Sequence, residues 1–273
     1  MGKFDGILIC TDLDGTLLRN DKSVSDENKK AIEYFKSEGG IFTFVTGRMP
    51  FFVFDIYENV MPNAPFGCIN GGGVYDYSNR EYVWQSTMPG EVFELVRLID
   101  EKFPNVGIQV NTFSRAHFCK ENRTMERFRE LTGAPNYVCR YSEVGDPIAK
   151  VLFGSESESE IQEIAKTLKE HPKAYKFDFI RSEKSLYEIL PKGIGKGTSL
   201  SKLEQHLGID INKTIAIGDY DNDISMFEVA KLGIAVSNAC PAAKEAADYV
   251  TVSNEEDAVA KVIYDLADGK ITI

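Results

Sequence analysis

Two aspartates lie just after an apolar run near the start of the chain, and their types and spacing could do chemistry. Asp12 and Asp14 follow the run Ile7–Cys10. Acidic side chains at the end of a buried strand are costly unless a cation or hydrogen-bond donors compensate them. One interpretation is an acidic turn with Asp14 and Gly15 at its corner. The other is a reactive pair, in which Asp12 holds a hard cation and attacks phosphorus while Asp14 donates and accepts protons.

Three further polar segments follow later in the chain. Thr46–Arg48 comes after the apolar run Ile41–Val45 and offers a capped helix start, where free backbone N–H groups also bind phosphate. Lys196 lies at the N-terminus of a predicted helix, where the helix dipole disfavours a cation. We therefore expect an anion or a carboxylate beside it. The acids and the amide of Gly218–Asp223 would repel one another unless they share a cation, which favours a metal site over a plain acidic cap.

The elements that must position these residues alternate between strand and helix at both ends of the chain. Ile41–Val45 and Thr214–Ile217 are short apolar runs typical of strands buried on both faces, and helical patterns follow them. This alternation predicts a parallel sheet whose carboxyl edge gathers the polar segments. In the middle of the chain, closely spaced alternating strands predict antiparallel pairing. We therefore predict an α/β fold with a Rossmann-like parallel sheet core, 1–83 with 190–273, and an inserted α+β cap domain, 84–189.

Charge and composition limit the classes of partner. The 273 residues carry 31 Lys and Arg against 42 Asp and Glu, a net charge of −11. This balance disfavours nucleic acid, whose non-specific binding needs positive surface, and it disfavours a polybasic membrane anchor. The run Ile7–Cys10 is too short for a signal peptide, and the five cysteines have no Cys-x-x-Cys spacing. We expect a cytoplasmic protein with reduced thiols and no nucleic-acid or membrane partner. A small phosphorylated substrate is compatible with the net charge, because a local pocket with a metal can reverse its sign.

Taken in order, the four polar segments resemble the four motifs of the haloacid dehalogenase-like phosphatases. The matching segments are Asp12–Leu18, Thr46–Arg48, Lys196-Gly197 and Gly218-Asp219-x-x-Asn222-Asp223. The insertion between the second and third motifs resembles the C2-type cap of the Cof-type subgroup. Ile69–Gly72 resembles that subgroup's Asn-Gly-Ala segment, with Gly72 in place of the usual alanine. The resemblance covers essentially the whole chain.

The resemblance implies a chemical role for the acids and a cofactor. Asp12 would be the nucleophile that forms an aspartyl-phosphate. Asp14 would be the general acid and base, which requires a raised pKa that closure of the cap could supply by excluding water. Mg²⁺ would bind Asp12, the main-chain carbonyl of Asp14, and Asp219.

The remaining motif residues would bind the phosphate or support the residues that do. Asp223 would orient Lys196 or lie in the outer shell of the metal. Arg48 would be a further phosphate contact or a structural partner, outside the catalytic set. The implied phosphate ligands are the Leu13 and Gly47 amides, Thr46, Lys196 and Asn222.

The function implied by the resemblance is Mg²⁺-dependent hydrolysis of a small phosphorylated metabolite, such as a sugar phosphate or a similar monoester. A phosphomutase, or a phosphatase dedicated to one sugar phosphate, shares the same motifs. From another class, a signalling receiver domain also accepts phosphate on an aspartate, but it needs neither the long insertion nor a second acid two places after the nucleophile. A non-catalytic sugar-phosphate sensor would bind without releasing phosphate.

Overall fold

The computed structural model describes residues 2–135, 137–145 and 147–273, which divide into two compact units. The first unit combines Met1–Gln85 with Gly195–Ile273, and the second unit is Ser86–Ile194. These limits fall a few residues from those predicted for the core and cap domains. Positions 1, 136 and 146 of those predicted domains lie outside the described residues.

Strands and helices alternate along much of the described chain. The strands are β1 (Leu8–Thr11), β2 (Ile41–Phe44), β3 (Phe66–Cys68), β4 (Gly73–Asp76), β5 (Glu81–Gln85), β6 (Gly107–Thr112), β7 (Ala116–Lys120), β8 (Ile148–Gly154), β9 (Phe177–Glu183), β10 (Leu186–Pro191), β11 (Thr214–Gly218), β12 (Leu232–Ala235) and β13 (Tyr249–Val250). The α-helices are α1 (Asp26–Ser37), α2 (Phe54–Val60), α3 (Val92–Lys102), α4 (Arg123–Thr132), α5 (Glu158–Lys169), α6 (Lys196–Leu207), α7 (Ile224–Val229), α8 (Pro241–Ala246) and α9 (Ala258–Ala267). Among the described residues, none of the helices has both the length and the apolarity that crossing a bilayer requires.

The first unit contains a parallel sheet of five strands in the order β13-β12-β11-β1-β2. Its central strands are apolar and buried, as strands covered on both faces must be. Thr11 at the end of β1 lies opposite Phe44 of β2 and Ile217 of β11. The three strands therefore end side by side, and the residues that follow them reach the same edge of the sheet. This arrangement confirms the predicted parallel α/β core.

A smaller antiparallel sheet, β3-β4-β5, supports the start of α6. The Ser199 hydroxyl of α6 donates to the Gly73 carbonyl of β4 at 2.9 Å. The turn before β4 lies even closer to the residue that precedes α6. A Cβ on Gly71 would lie 1.8 Å from the Gly195 carbonyl oxygen. Gly71 also has φ +100°, a conformation that side chains disfavour. Backbone packing at this turn therefore helps to fix the position of Lys196, the first residue of α6.

The second unit is an antiparallel sheet in the order β7-β6-β8-β10-β9, packed against helices. Apolar residues of its strands, such as Val110 and Val151, share one core with residues of α3 and α5, such as Leu95. Buried polar side chains also occur in this sheet, and Lys150 of β8 pairs with Glu188 of β10 at 2.9 Å. The antiparallel pairing confirms the α+β prediction for the middle of the chain.

Replacement of Gly71 by alanine tests the packing of its turn against the start of α6. We expect Gly71→Ala to lower the free energy of unfolding by about 3 kcal/mol or more, because overpacking and an unfavourable φ act together. Urea or thermal unfolding measures this loss. Gly90→Ala is the matched control, since nothing lies within 4 Å of a Cβ at that position. Equal stability of the two variants would contradict the packing described here.

Candidate active site

Three acidic side chains converge at the carboxyl edge of the parallel sheet. Asp12 follows β1, whereas Asp219 and Asp223 lie in the loop and short turn after β11. In the described part of the chain, one carboxylate oxygen from each of the three lies within 4.8 Å of the others. The structure therefore brings together Asp12 and Asp219, the two side chains that the sequence analysis assigned to a single ion.

Lys196 links two of these acids. Its ammonium nitrogen lies 2.6 Å from Asp12 Oδ1 and 2.5 Å from Asp223 Oδ1, and all three side chains are buried. Burial alone would lower the pKa of Lys196, but the charges of Asp12 and Asp223 raise it above its ordinary value. Lys196 therefore carries its charge at neutral pH, and the carboxylate partner that the sequence analysis expected at this helix start is present.

The loop after β11 holds Asp223 in a fixed orientation. Asp223 Oδ2 accepts hydrogen bonds from the backbone nitrogens of Asp219 at 2.8 Å and Tyr220 at 3.0 Å. Its other oxygen accepts from Lys196. Asp223 thus organises the loop that carries Asp219 and orients the Lys196 ammonium, which is one of the two roles that the resemblance implied.

Glycine and threonine within the first motif allow the two acidic loops to approach each other. Gly15 has φ +86°, and a Cβ at this position would lie 2.5 Å from Asp219 Oδ2. The Thr16 hydroxyl donates to Asp219 Oδ1 at 3.2 Å. The sequence analysis assigned Thr16 no role, although it belongs to the first motif. The motif is therefore needed for the shape of the site as well as for its acids.

The charges of the acidic cluster fit a divalent cation. Burial raises the pKa of Asp12 well above its usual range; Lys196 lowers it, and the neighbouring Asp223 and Asp219 raise it further. Burial and the charge of Asp223 raise the pKa of Asp219 to about 7. Three carboxylates face one ammonium, so the ionised cluster lacks positive charge. Carboxylate oxygens are hard ligands of the kind that Mg²⁺ prefers, and Asp12 and Asp219 therefore fit this ion.

Asp14 lies in a different environment from Asp12. Its carboxylate accepts hydrogen bonds from Arg48 Nε at 2.8 Å and from a terminal guanidinium nitrogen of Arg48 at 2.7 Å, and Lys22 Nζ lies 2.8 Å away. Burial raises the pKa of Asp14, but Arg48 and Lys22 outweigh burial and lower it to about 2. The expected raised pKa of Asp14 is wrong for this arrangement, because two cations stabilise the ionised form. Arg48 here is a partner of Asp14, one of the two alternatives left open for it.

Three of the residues predicted to bind phosphate, Thr46, Gly47 and Asn222, lie in two loops that meet at one side chain, Asn70. The Thr46 hydroxyl accepts from the Arg48 backbone nitrogen at 3.2 Å within the loop after β2. Asn222 Nδ2 donates to Asn70 Oδ1 at 2.9 Å, and a Cβ on Gly47 would lie 2.8 Å from the same oxygen. The side chain of Leu13, next to Asp12, is fully buried, so the group of Leu13 that is implied to bind phosphate is its backbone amide. Asn70 was named in the Asn-Gly segment of the sequence but was assigned no function there.

The chain matches a sequence profile of the family described as haloacid dehalogenase-like hydrolase over residues 9–263. A relative from Bacillus subtilis, named 5-amino-6-(5-phospho-D-ribitylamino)uracil phosphatase YwtE, is 30% identical, and the alignment covers 96% of this chain and 98% of the relative.

Solved structures have the same fold. A haloacid dehalogenase-like hydrolase from Bacteroides thetaiotaomicron aligns with a TM-score of 0.82 at 25% identity, covering 95% of this chain and 99% of the other. A structure described as a sugar phosphatase of haloacid dehalogenase subclass IIB aligns with a TM-score of 0.85, covering 97% of this chain and all of the other. At 21% identity the second likeness is one of fold alone.

Metal binding should depend on Asp219 and on pH. A Mg²⁺ ion at this cluster would compete with a proton on Asp219, whose pKa is about 7. We therefore expect the apparent affinity for Mg²⁺, measured by titration calorimetry, to be about tenfold weaker at pH 6 than at pH 8. Asp219→Asn should remove most of the affinity. Asp221→Asn, an exposed acid of the same loop, should leave it unchanged. Equal Mg²⁺ affinity in both variants would place the ion elsewhere.

Proposed function

Because the chain belongs to the haloacid dehalogenase-like hydrolase family, we propose that it is a Mg²⁺-dependent phosphatase. Its substrate would be a small phosphorylated metabolite, hydrolysed through an aspartyl-phosphate on Asp12. The observation that carries this proposal is the buried contact of Lys196 with Asp12, beside the acids Asp219 and Asp223. A nucleophilic carboxylate must approach a phosphate dianion, and this site supplies a fixed cation together with the donor set for a second one.

Asp12 performs the first chemical step. One of its carboxylate oxygens forms a bond to phosphorus as the bond from phosphorus to the leaving oxygen breaks. Lys196 neutralises charge on the nucleophile and on the transferring group, and Asp223 keeps its ammonium in place. Mg²⁺, held by Asp12, Asp219 and the main-chain carbonyl of Asp14, would supply further positive charge next to the phosphoryl oxygens.

The phosphoryl oxygens need donors besides Lys196. The Leu13 and Gly47 amides, the Thr46 hydroxyl and the Asn222 amide are the groups we assign to them. Thr46 and Gly47 follow β2, and Asn222 follows β11, the strands on either side of β1. Donors that are already oriented in this way stabilise developing charge without reorganising during the reaction.

Asp14 performs the proton transfers. It donates a proton to the leaving alcohol and later takes one from the water that hydrolyses the aspartyl-phosphate. In the present arrangement Arg48 and Lys22 keep Asp14 ionised. The Asp14 side chain must therefore move away from Arg48 and Lys22 before it can carry a proton. In the reacting complex, a contact with the leaving oxygen takes the place of its contacts with these two cations.

A phosphorylated sugar or sugar alcohol is the substrate class we favour. The relative named above carries a phosphorylated ribityl group in the name of its substrate. The rival within the enzymes is a phosphomutase or a phosphatase dedicated to one sugar phosphate, which product analysis distinguishes. A cytoplasmic location, and the lack of nucleic-acid and membrane partners, stay predictions from the sequence.

Substitution of Asp12 tests the proposed nucleophile. Phosphate release from a panel of sugar phosphates and p-nitrophenyl phosphate is measured with and without Mg²⁺. We expect Asp12→Asn to lower kcat at least about 1,000-fold, because an amide does not attack phosphorus. The control Asp221→Asn, at an exposed acid outside the assigned machinery, should keep the wild-type rate. Wild-type rates in Asp12→Asn would refute the assignment.

A further inference from the structure

Asn70 occupies a strained turn that follows β3. It is fully buried and has φ 51° and ψ 35°, in the left-handed region. The preceding Ile69 also has a positive φ of 59°, which is unusual for a β-branched residue. Consecutive backbone strain of this kind persists only where the surroundings enforce it, and it is enriched at functional sites.

The backbone of this turn is hydrogen-bonded to the loop after β2. The Ile69 nitrogen donates to the Arg48 carbonyl at 3.0 Å, and the Asn70 nitrogen donates to the Thr46 carbonyl at 3.1 Å. These two carbonyls flank Gly47 in sequence. The turn therefore holds the segment that carries two of the proposed phosphate ligands, Thr46 and Gly47.

The Asn70 side chain contacts that loop and also a loop that is distant in sequence. A Cβ on Gly47 would lie 2.8 Å from Asn70 Oδ1 and 3.0 Å from Nδ2, so the amide is packed directly against Gly47. Its oxygen accepts a hydrogen bond from Asn222 Nδ2 at 2.9 Å. An amide nitrogen has two hydrogens, and this contact fixes the direction of both on Asn222.

We propose that Asn70 is a positioning residue of the phosphate site, which orients the Asn222 amide and holds it in register with the Gly47 loop. This role rests on the proposed function, because Asn222 and Gly47 are phosphate ligands only in that account. We assign Asn70 itself no contact with the phosphoryl group. Its side-chain oxygen fixes Asn222, so the loss of Asn70 should act through Asn222.

A double-mutant cycle on the full chain tests this coupling. Inorganic phosphate binding in the presence of Mg²⁺ is measured by calorimetry, and ester hydrolysis is measured in parallel. Asn70→Gly removes the side chain but accepts the left-handed backbone without strain, so it separates a side-chain role from a conformational one. Asn79→Ala, in the exposed turn between β4 and β5, is the fold control and should behave as wild type.

We expect Asn222→Ala and Asn70→Gly each to weaken phosphate binding about tenfold, the size of one lost hydrogen bond to a charged group. The double variant should be within about threefold of Asn222→Ala alone, because the two changes remove one shared interaction. In hydrolysis, Asn70→Gly should lower kcat/KM about 10-fold to 100-fold.

Two results would overturn the positioning role. If the two effects multiply, so that the double variant is about 100-fold weaker than wild type, Asn70 does not act through Asn222. If Asn70→Gly binds phosphate as wild type does, the residue has only a backbone role. A third result would overturn the proposed function alone: the wild-type protein binds phosphate and the variants show the predicted coupling, but the wild-type protein hydrolyses no ester of the panel.

Discussion

The buried contact of one ammonium with two carboxylates is the interaction on which the rest of the site depends. Lys196 lies between Asp12 and Asp223, with all three side chains removed from water. Loss of one partner from such a group leaves an uncompensated buried charge, which typically costs about 3–5 kcal/mol. The three residues come from opposite ends of the chain, so this contact also joins the end of β1, the start of α6 and the loop after β11 into one site.

Two acids separated by a single residue have opposite electrostatic environments. Burial raises the pKa of Asp12, whereas Arg48 and Lys22 overcome burial and lower the pKa of Asp14. In the proposed mechanism the nucleophile Asp12 must be ionised and the general acid Asp14 protonated, which is the reverse of this arrangement. A divalent cation beside Asp12 favours its ionised form, and departure of Asp14 from Arg48 and Lys22 favours its protonation. In the proposed mechanism, binding of the metal ion and the substrate thus brings both acids to the protonation states that the reaction requires.

Much of the fold and of the acidic site could be predicted from the sequence, because both follow from where strands end. Apolar runs followed by polar segments predicted a parallel sheet, and parallel strands bring their carboxyl ends together; Asp12 and Asp219 meet for this reason. The partner of Asp14 could not be predicted, since the direction of the Arg48 side chain depends on tertiary packing. The contact of Asn70 with Asn222 joins distant loops, and no local pattern encodes it.

Anomalous diffraction from crystals that contain Mn²⁺ in place of Mg²⁺ tests the central claim most directly. The account predicts one strong peak with carboxylate oxygens of Asp12 and Asp219 at about 2.0–2.2 Å, in octahedral oxygen coordination. Lys196 should remain against Asp12 and Asp223 in the same crystals. A peak away from these acids, or an empty acidic cluster at saturating Mn²⁺, would contradict the account.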